Sequence, residues 1–281
     1  MEKVRKFLSV LFGRKIVLLS AIVVLFFLLC ALASPLIAPY DPNEIDLTSM
    51  LEGPSAEHIF GTDQHGRDLF SRIVYGSRMA FLVGVLAVLV AAVVGCLVGL
   101  VAGYFGGAIV SVLMRIIEAE MSIPGIMLAL ALVATFGNST GMLIFILGFS
   151  AIPPYARMMR AQVLSVRELD YVASSRIIGN SDFKTMPRHV FPNCLSPIIV
   201  LMSQSIGGTI LSEASLSYLG AGIMPPTASW GKMVSEGYQY LTTSPLFALL
   251  PGVAVILLVL SFNILGDGLR DALDPHMRGN Q

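Results

Sequence analysis

The densest run of residues able to do chemistry in this chain is 168–193, ELDYVASSRIIGNSDFKTMPRHVFPN, a polar segment between two apolar stretches. It presents no paired catalytic groups. Glu168, Asp170 and Arg176 instead offer charge that sets the register of a docked surface, and Ala173, Ser174 and Ser175 are small enough to let that surface come close. No G-x-x-x-x-G-K-[ST] phosphate loop occurs, since WGKM at 230–233 lacks both the glycine spacing and the hydroxyl. Neither H-E-x-x-H nor G-x-S-x-G is present, which argues against a membrane-embedded hydrolase. His58, His65, His189 and His276 are scattered without metal-ligand spacing. No catalytic, cofactor-binding or metal-binding residue is assigned, and the chain is not expected to hydrolyse ATP itself.

Three further polar groupings stand near apolar stretches. Arg115 and Glu118 are one helical turn apart and can pair, either as a snorkelling pair at the lipid boundary or as a gating pair within the bundle. Glu213 precedes the glycine-rich SYLGAG at 217–222, so Glu213, Tyr218, Gly220 and Gly222 are candidates for an outer gate. Charge at membrane depth is costly and usually faces a cavity; a capped helix end at the surface is the alternative. Arg67, Asp68 and Arg72 are expected on the outer surface, either in internal ion pairs, which contribute little there, or in contact with an extracytoplasmic partner.

The elements that must position these groups are membrane helices. Of 281 residues, 55% are hydrophobic and 13% charged, and mean hydropathy is +0.79. Soluble domains carry roughly 25% charged residues. Six runs are long and apolar enough to span a bilayer: 16–33, 79–102, 109–135, 142–154 (the shortest, continuing toward 159), 194–212 and 247–265. They are continuous rather than alternating, so an all-α bundle is expected. The formal net charge of zero gives no footprint for nucleic acid. Cys30, Cys96 and Cys194 lie far apart in apolar surroundings and are expected to pack as small hydrophobes.

The first span follows Lys3, Arg5, Lys6, Arg14 and Lys15 and ends in ALAS at 31–34. It is longer than the ~7–15 apolar residues of a cleaved signal, so it is expected to remain as a helix. Basic residues set orientation. Arg157, Arg160, Arg167, Arg176, Lys184, Arg188, Arg270 and Arg278 share the N-terminal side, against Arg67, Arg72, Arg78 and Lys232 opposite. Both termini are therefore expected in the cytoplasm. The expected order is a tail at 1–15, a span at 16–33, an extracytoplasmic segment at 34–78, a five-helix core at 79–266 carrying a cytoplasmic loop at 157–192, and a tail at 267–281.

Within that loop a short helix is expected to stop at Gly179, because glycine takes the left-handed conformation without penalty. Asn180, Ser181 and Asp182 offer caps for a second piece, which Pro187 keeps irregular. Local pattern alone also fits a solvated linker between two spans.

Asp170-Tyr171, Ser174-Ser175 and Gly179, followed by Ser181-Asp182, Arg188-His189 and Pro192-Asn193, resemble the coupling loop of ABC-importer permeases. Serine stands here for the family's usual alanines, and Pro187 for an apolar residue. GTDQHGRDLFSRIVYGSR (61–78), GYFGG (103–107), MRIIEAEMSIP (114–124), SEASLSYLGAGIMPPTASWGKM (212–233) and FNILGDGLRDALDP (262–275) extend the resemblance to the C-type permeases of dipeptide, oligopeptide and nickel importers. Val110 and Glu118 occupy positions where that family has aspartate.

The resemblance implies the six-helix type I importer fold and a permease of the bacterial inner membrane. Its partners would be a second, homologous permease, two ATPase subunits holding ATP-Mg, an extracytoplasmic binding protein and the bilayer, with no cofactor on this chain. Glu168, Asp170, Tyr171, Ser174, Ser175, Arg176, Gly179 and Asp182 would form the ATPase contact. Closure of the ATPases would swing the loop and switch the pathway between outward and inward states. Di- or oligopeptides are the first substrate expectation, with nickel, a metal chelate or glutathione as alternatives. A secondary transporter would instead show inverted repeats and midplane charges, and neither is visible.

Overall fold

The computed structural model describes residues 10–273, and every regular element among them is helical. Lys3, Arg5, Lys6, His276 and Arg278, in the expected tails, lie outside the described residues. The longer helices are α1 (Lys15–Leu32), α2 (Leu69–Tyr104), α3 (Gly107–Met121), α4 (Gly125–Phe136), α5 (Thr140–Ser150), α6 (Ile152–Val166), α7 (Asp170–Ile177), α8 (Leu195–Tyr218), α9 (Trp230–Tyr238) and α10 (Pro245–Leu273). Four stretches, α1, α2, 182–218 and α10, are each long and apolar enough to span a bilayer. The pairs α3–α4 and α5–α6 pass only together, which makes six spans when each pair counts as one.

The third expected span, 109–135, is not continuous. Its two halves meet at 93°. Pro124 has no N–H to extend the helical ladder and disfavours helical geometry at Ile123, so α3 must stop there. Ser122 Oγ closes the end by donating to the Ala119 carbonyl at 2.6 Å. The α5–α6 bend is milder, 41°. Pro153 sits in the first turn of α6, where a missing N–H costs little.

The second span begins at Leu69 rather than Met79, so 69–78 is helical. Asp68 caps it, its carboxylate accepting the Ser71 N–H at 2.7 Å. At 36 residues α2 is roughly 54 Å long, about 1.5 Å per residue, which exceeds the ~30 Å hydrocarbon layer. It therefore joins the two faces of the bundle as one rod.

The α2 rod lies closely along α6 because Gly95, Gly99 and Gly103 recur every four residues. A Cβ on Gly95 would meet Tyr155 Cβ at 2.6 Å, one on Gly103 would meet Val163 Cβ at 2.7 Å, and one on Gly99 would strike the Ala156 carbonyl. Small residues at this spacing let helix backbones approach in lipid, where hydrophobicity does not drive association. At the 34–68 end, Trp230 Nε1 donates to the Ile73 carbonyl at 2.9 Å, and its ring packs with Phe27. Cys30, Cys96 and Cys194 are buried as free thiols, as expected.

Candidate partner-coupling site

Residues 167–194 fold back under the ends of α2 and α6. Val172, Val190 and Cys194 are fully buried, in one cluster with Tyr104, Tyr155, Met159 and Val163. Arg167 Nη1 donates to the Gly103 carbonyl at 2.8 Å, satisfying one of the carbonyls that a helix end leaves open. Tyr104 Oη donates to Asp182 Oδ1 at 2.6 Å. The polar segment is thus bolted to α2 rather than hung between spans as a solvated linker.

Its outer surface differs in part from the expected one. Asp170 opens α7, and Asp170, Tyr171 and Ser174 are exposed. Glu168 is exposed and accepts from Arg167 Nε at 3.0 Å. Loss of solvent, with the nearby Cys194 adding to it, pushes the Tyr171 phenol up from its ordinary range. Gly179 takes φ +90°, the left-handed stop expected of it. Ser175, however, does not face outward. It is buried, shares a 3.0 Å hydrogen bond with Thr185 Oγ1 and accepts from Asn180 Nδ2 at 3.1 Å. The reason is helical periodicity: Ser175 lies three residues after Val172, on the same inward face. The side chain of Arg176 lies outside the described residues.

The most prominent exposed groups here are apolar. Ile177, Ile178 and Phe183 are 85%, 80% and 80% exposed. Ile177 and Ile178 end the short helix before Gly179, a place that by itself gives no outward role. The available signal was an Ile-Ile pair running directly into a helix-stop glycine, beyond the face that Val172 and Ser175 turn inward.

On the opposite end of the bundle Glu213 is buried and accepts from Ser217 Oγ at 2.6 Å and Ser229 Oγ at 3.0 Å, both on Oε1. Ser217 Oγ in turn accepts the Ile223 N–H at 3.0 Å. Gly222 presses against Ser217 so closely that any side chain there would clash. Gly220 takes φ +82°, Tyr218 is exposed, and the Tyr218 carbonyl accepts from Ser235 Oγ at 2.8 Å. Glu213 is therefore a buried tie between the end of α8 and the 219–229 loop, not a surface cap. Arg115 and Glu118 pair at 3.5 Å on an exposed face of α3, outside this chain's own interior.

Residues 95–279 match the family model described as "Binding-protein-dependent transport system inner membrane component". Residues 4–54 match "N-terminal TM domain of oligopeptide transport permease C". The chain belongs to this permease family. It is 41% identical over 261 residues to the glutathione transport system permease protein GsiD of Shigella sonnei, covering 92% of this chain and 86% of that one. It is 40% identical over 276 residues to the probable D,D-dipeptide transport system permease protein DdpC of Escherichia coli, covering 98% and 93%. A solved structure titled as inward-facing conformations of the MetNI methionine ABC transporter aligns with TM-score 0.57 and 17% identity, over 72% of this chain and 96% of that one. That likeness shows the type I importer fold. The protein is a multi-pass inner-membrane permease subunit of a binding-protein-dependent ABC importer. It is not an enzyme, and ATP hydrolysis falls to separate subunits.

The permease holds its 34–68 segment in place with a buried ion cluster, where exposed pairs were expected. Asp63, Arg67, Asp68 and Arg72 are all at most 5% exposed. Asp63 Oδ2 accepts from Arg67 Nε at 2.6 Å and lies 3.4 Å from Arg72 Nε. Arg67 Nη2 reaches Glu236 of α9 at 3.5 Å, and Arg72 Nη1 donates to the Pro42 carbonyl at 2.8 Å. Asp68 also meets His58 Nδ1 at 3.0 Å. Charge alone predicts the surface for such residues; here Asp63 collects both arginines and makes their burial possible. These groups join 34–68 to α2 and α9, so the segment packs as part of the permease body.

Proposed function

We propose that this permease forms half of a two-permease pathway that imports short peptides, and that two ATPase subunits drive it through residues 157–192. A homologous second permease completes the pathway. A binding protein delivers substrate to the face carrying residues 34–78. Residues 1–15 and 267–281, with both termini, lie in the cytoplasm, and ATP-Mg is held by the ATPase subunits.

The observation that carries this reading is the exposed apolar group Ile177, Ile178 and Phe183 on a segment whose other face is locked to α2 and α6. Exposed apolar side chains on a rigid mount suit a partner's groove. Push and pull on it pass to α2 through Tyr104–Asp182 and Arg167–Gly103. Glu168, Asp170, Tyr171, Ser174 and Asp182 are exposed on the same segment, while Ser175 is buried in it and Gly179 makes its turn. Peptides are favoured as cargo because GsiD and DdpC are named for glutathione, itself a tripeptide, and for a D,D-dipeptide.

The test has two parts. Cysteines at Ser174 and Phe183 in the purified assembly should cross-link to a nucleotide-hydrolysing neighbour. Uptake in a deletion strain should follow labelled dipeptide or glutathione. Uptake of nickel in place of peptides would move the cargo to the metal class, and proton- or sodium-driven uptake by the chain alone would remove the importer mechanism.

A further inference from the structure

A groove of about 750 Å³ runs between α3 and α6, the helix that leads into residues 167–194. Arg157, Arg160, Ala161 and Leu164 of α6 line it at spacings of three, four and seven, which is one helix face. Met114, Glu118 and Met121 of α3 form the facing wall. The lining thus combines two guanidinium groups with apolar side chains.

Two observations say what such a groove takes. First, neither arginine has an ion-pair partner among the described residues. The Arg160 Nε is closed off from solvent without a hydrogen-bond partner, and Arg157 Nη1 reaches only the Met121 sulfur, a weak acceptor, at 3.4 Å. Glu118 is shared with Arg115 at 3.5 Å. A guanidinium drawn away from water calls for an anion, and its planar fork matches carboxylate or phosphate.

Second, the depth of the groove selects phosphate. A Cβ on Gly99 would meet the Arg160 amide nitrogen at 3.0 Å, and one on Gly103 the Arg160 carbonyl at 3.0 Å, so Arg160 lies level with the last two turns of α2. That rod exceeds the hydrocarbon layer by about 24 Å, so its final ~10 Å stands among lipid head groups when the rod is centred. Arg157, one turn deeper, can extend its guanidinium toward the same level. Val112 and Ile116, exposed on α3, continue an apolar surface beside the groove.

We infer that this groove seats an anionic phospholipid of the cytoplasmic leaflet, with Arg157 and Arg160 sharing its phosphate and Met114, Met121 and Leu164 meeting its acyl chains. Basic pockets between membrane helices on that side suit such head groups. A phosphatidylglycerol brings its negative charge uncompensated, whereas the cationic head of a zwitterionic lipid is repelled by the second guanidinium. Seated there, the lipid braces α3 against α6. The inference rests on the orientation given in the proposed function, and not on the cargo.

Leu164, exposed on the groove wall, carries the test. Leu164→benzoylphenylalanine is placed in the purified assembly with its partners, in phosphatidylcholine nanodiscs containing radiolabelled phosphatidylglycerol. Illumination should attach phosphatidylglycerol at least fivefold more than radiolabelled phosphatidylcholine at the same fraction. Arg157→Gln with Arg160→Gln should cut that capture at least fivefold, and Arg157→Lys with Arg160→Lys, which keep the charge, should recover most of it. Inorganic phosphate in large excess should leave capture unchanged; displacement by it would make this a free-phosphate site and overturn the inference. Equal capture of the two lipids overturns it, as does capture that survives the glutamine pair. Attachment to the second permease in place of lipid, or to nothing, overturns it as well. Where the glutamine pair does not assemble, the ratio of the two lipids on the arginine-bearing assembly decides alone. Absence of peptide uptake would strike only the proposed cargo, and an impermeant thiol reagent that reached Ser174→Cys solely from the outer side of sealed vesicles would strike the orientation.

Discussion

Tyr104 Oη and Asp182 Oδ1 lie 2.6 Å apart, joining the last residue of the α2 rod to the turn that follows Gly179. A hydrogen bond to a charged group contributes about 1.5–3 kcal/mol, less where solvent reaches it, as it does at Asp182. Tyr104→Phe keeps the ring and its edge contact with Phe105 while removing the donor. We expect a melting temperature lowered by a few degrees and peptide uptake reduced several-fold, with the ATPase subunits still bound. Uptake at the wild-type rate would show that force does not travel by this bond.

Phe183→Asp, alone or with Ile178→Asp, places charge on side chains that are already solvated, so the fold should melt as the wild type does. Partner binding should suffer instead. Hot-spot contacts lose about 2 kcal/mol or more on truncation, so co-purification of ATPase subunits should fall at least tenfold. Retention of those subunits in full would place the contact elsewhere on the chain.

Gly99→Leu should be among the most damaging substitutions in the spans. Its side chain would enter the Ala156 backbone, and overpacking costs about 1–3 kcal/mol or more when backbone must move. Thermal unfolding in detergent should show the loss. Gly53→Ala, where nothing lies within 4 Å, is the matched control and should melt normally.

Removing Asp63 leaves Arg67 and Arg72 buried with their shared acceptor gone. Breaking a buried pair from one side costs about 3–5 kcal/mol. Asp63→Ala should therefore release the 34–68 segment, read as new protease cleavage there. Salt screens exposed pairs far more than buried ones, so 0.5 M salt, roughly a 4 Å screening length, should not reproduce the effect. Cleavage of the wild type at high salt would show the cluster to be solvent-open.

Glu213→Ala strips two buried serine hydroxyls of their acceptor, a loss of about 1–3 kcal/mol. Glu213→Gln keeps an acceptor oxygen and should recover most of it. A Glu213→Ala permease that assembles normally and transports at the wild-type rate would leave no gate role for this carboxyl.

Much of this permease was legible from its residues alone. A run of ~20 apolar residues in lipid has only the helix available, because every backbone group must be satisfied within the segment. The all-helical class and the four unbroken spans are local consequences of that rule, and so are the Gly179 stop and the burial of the cysteines. Tertiary structure decided the rest. Whether Arg72 meets water or Asp63 depends on how 34–68 folds over the start of α2. Whether Ser175 meets solvent or Thr185 depends on which side of α7 carries Val172 into the core. The Gly95, Gly99 and Gly103 ladder has meaning only once Tyr155, Ala156 and Val163 lie across from it. Those choices arise from contacts between residues far apart in sequence, such as Trp230 with Ile73 at a separation of 157. Local composition carries the energy of entering the bilayer, but packing between helices there depends on shape, which no single segment contains.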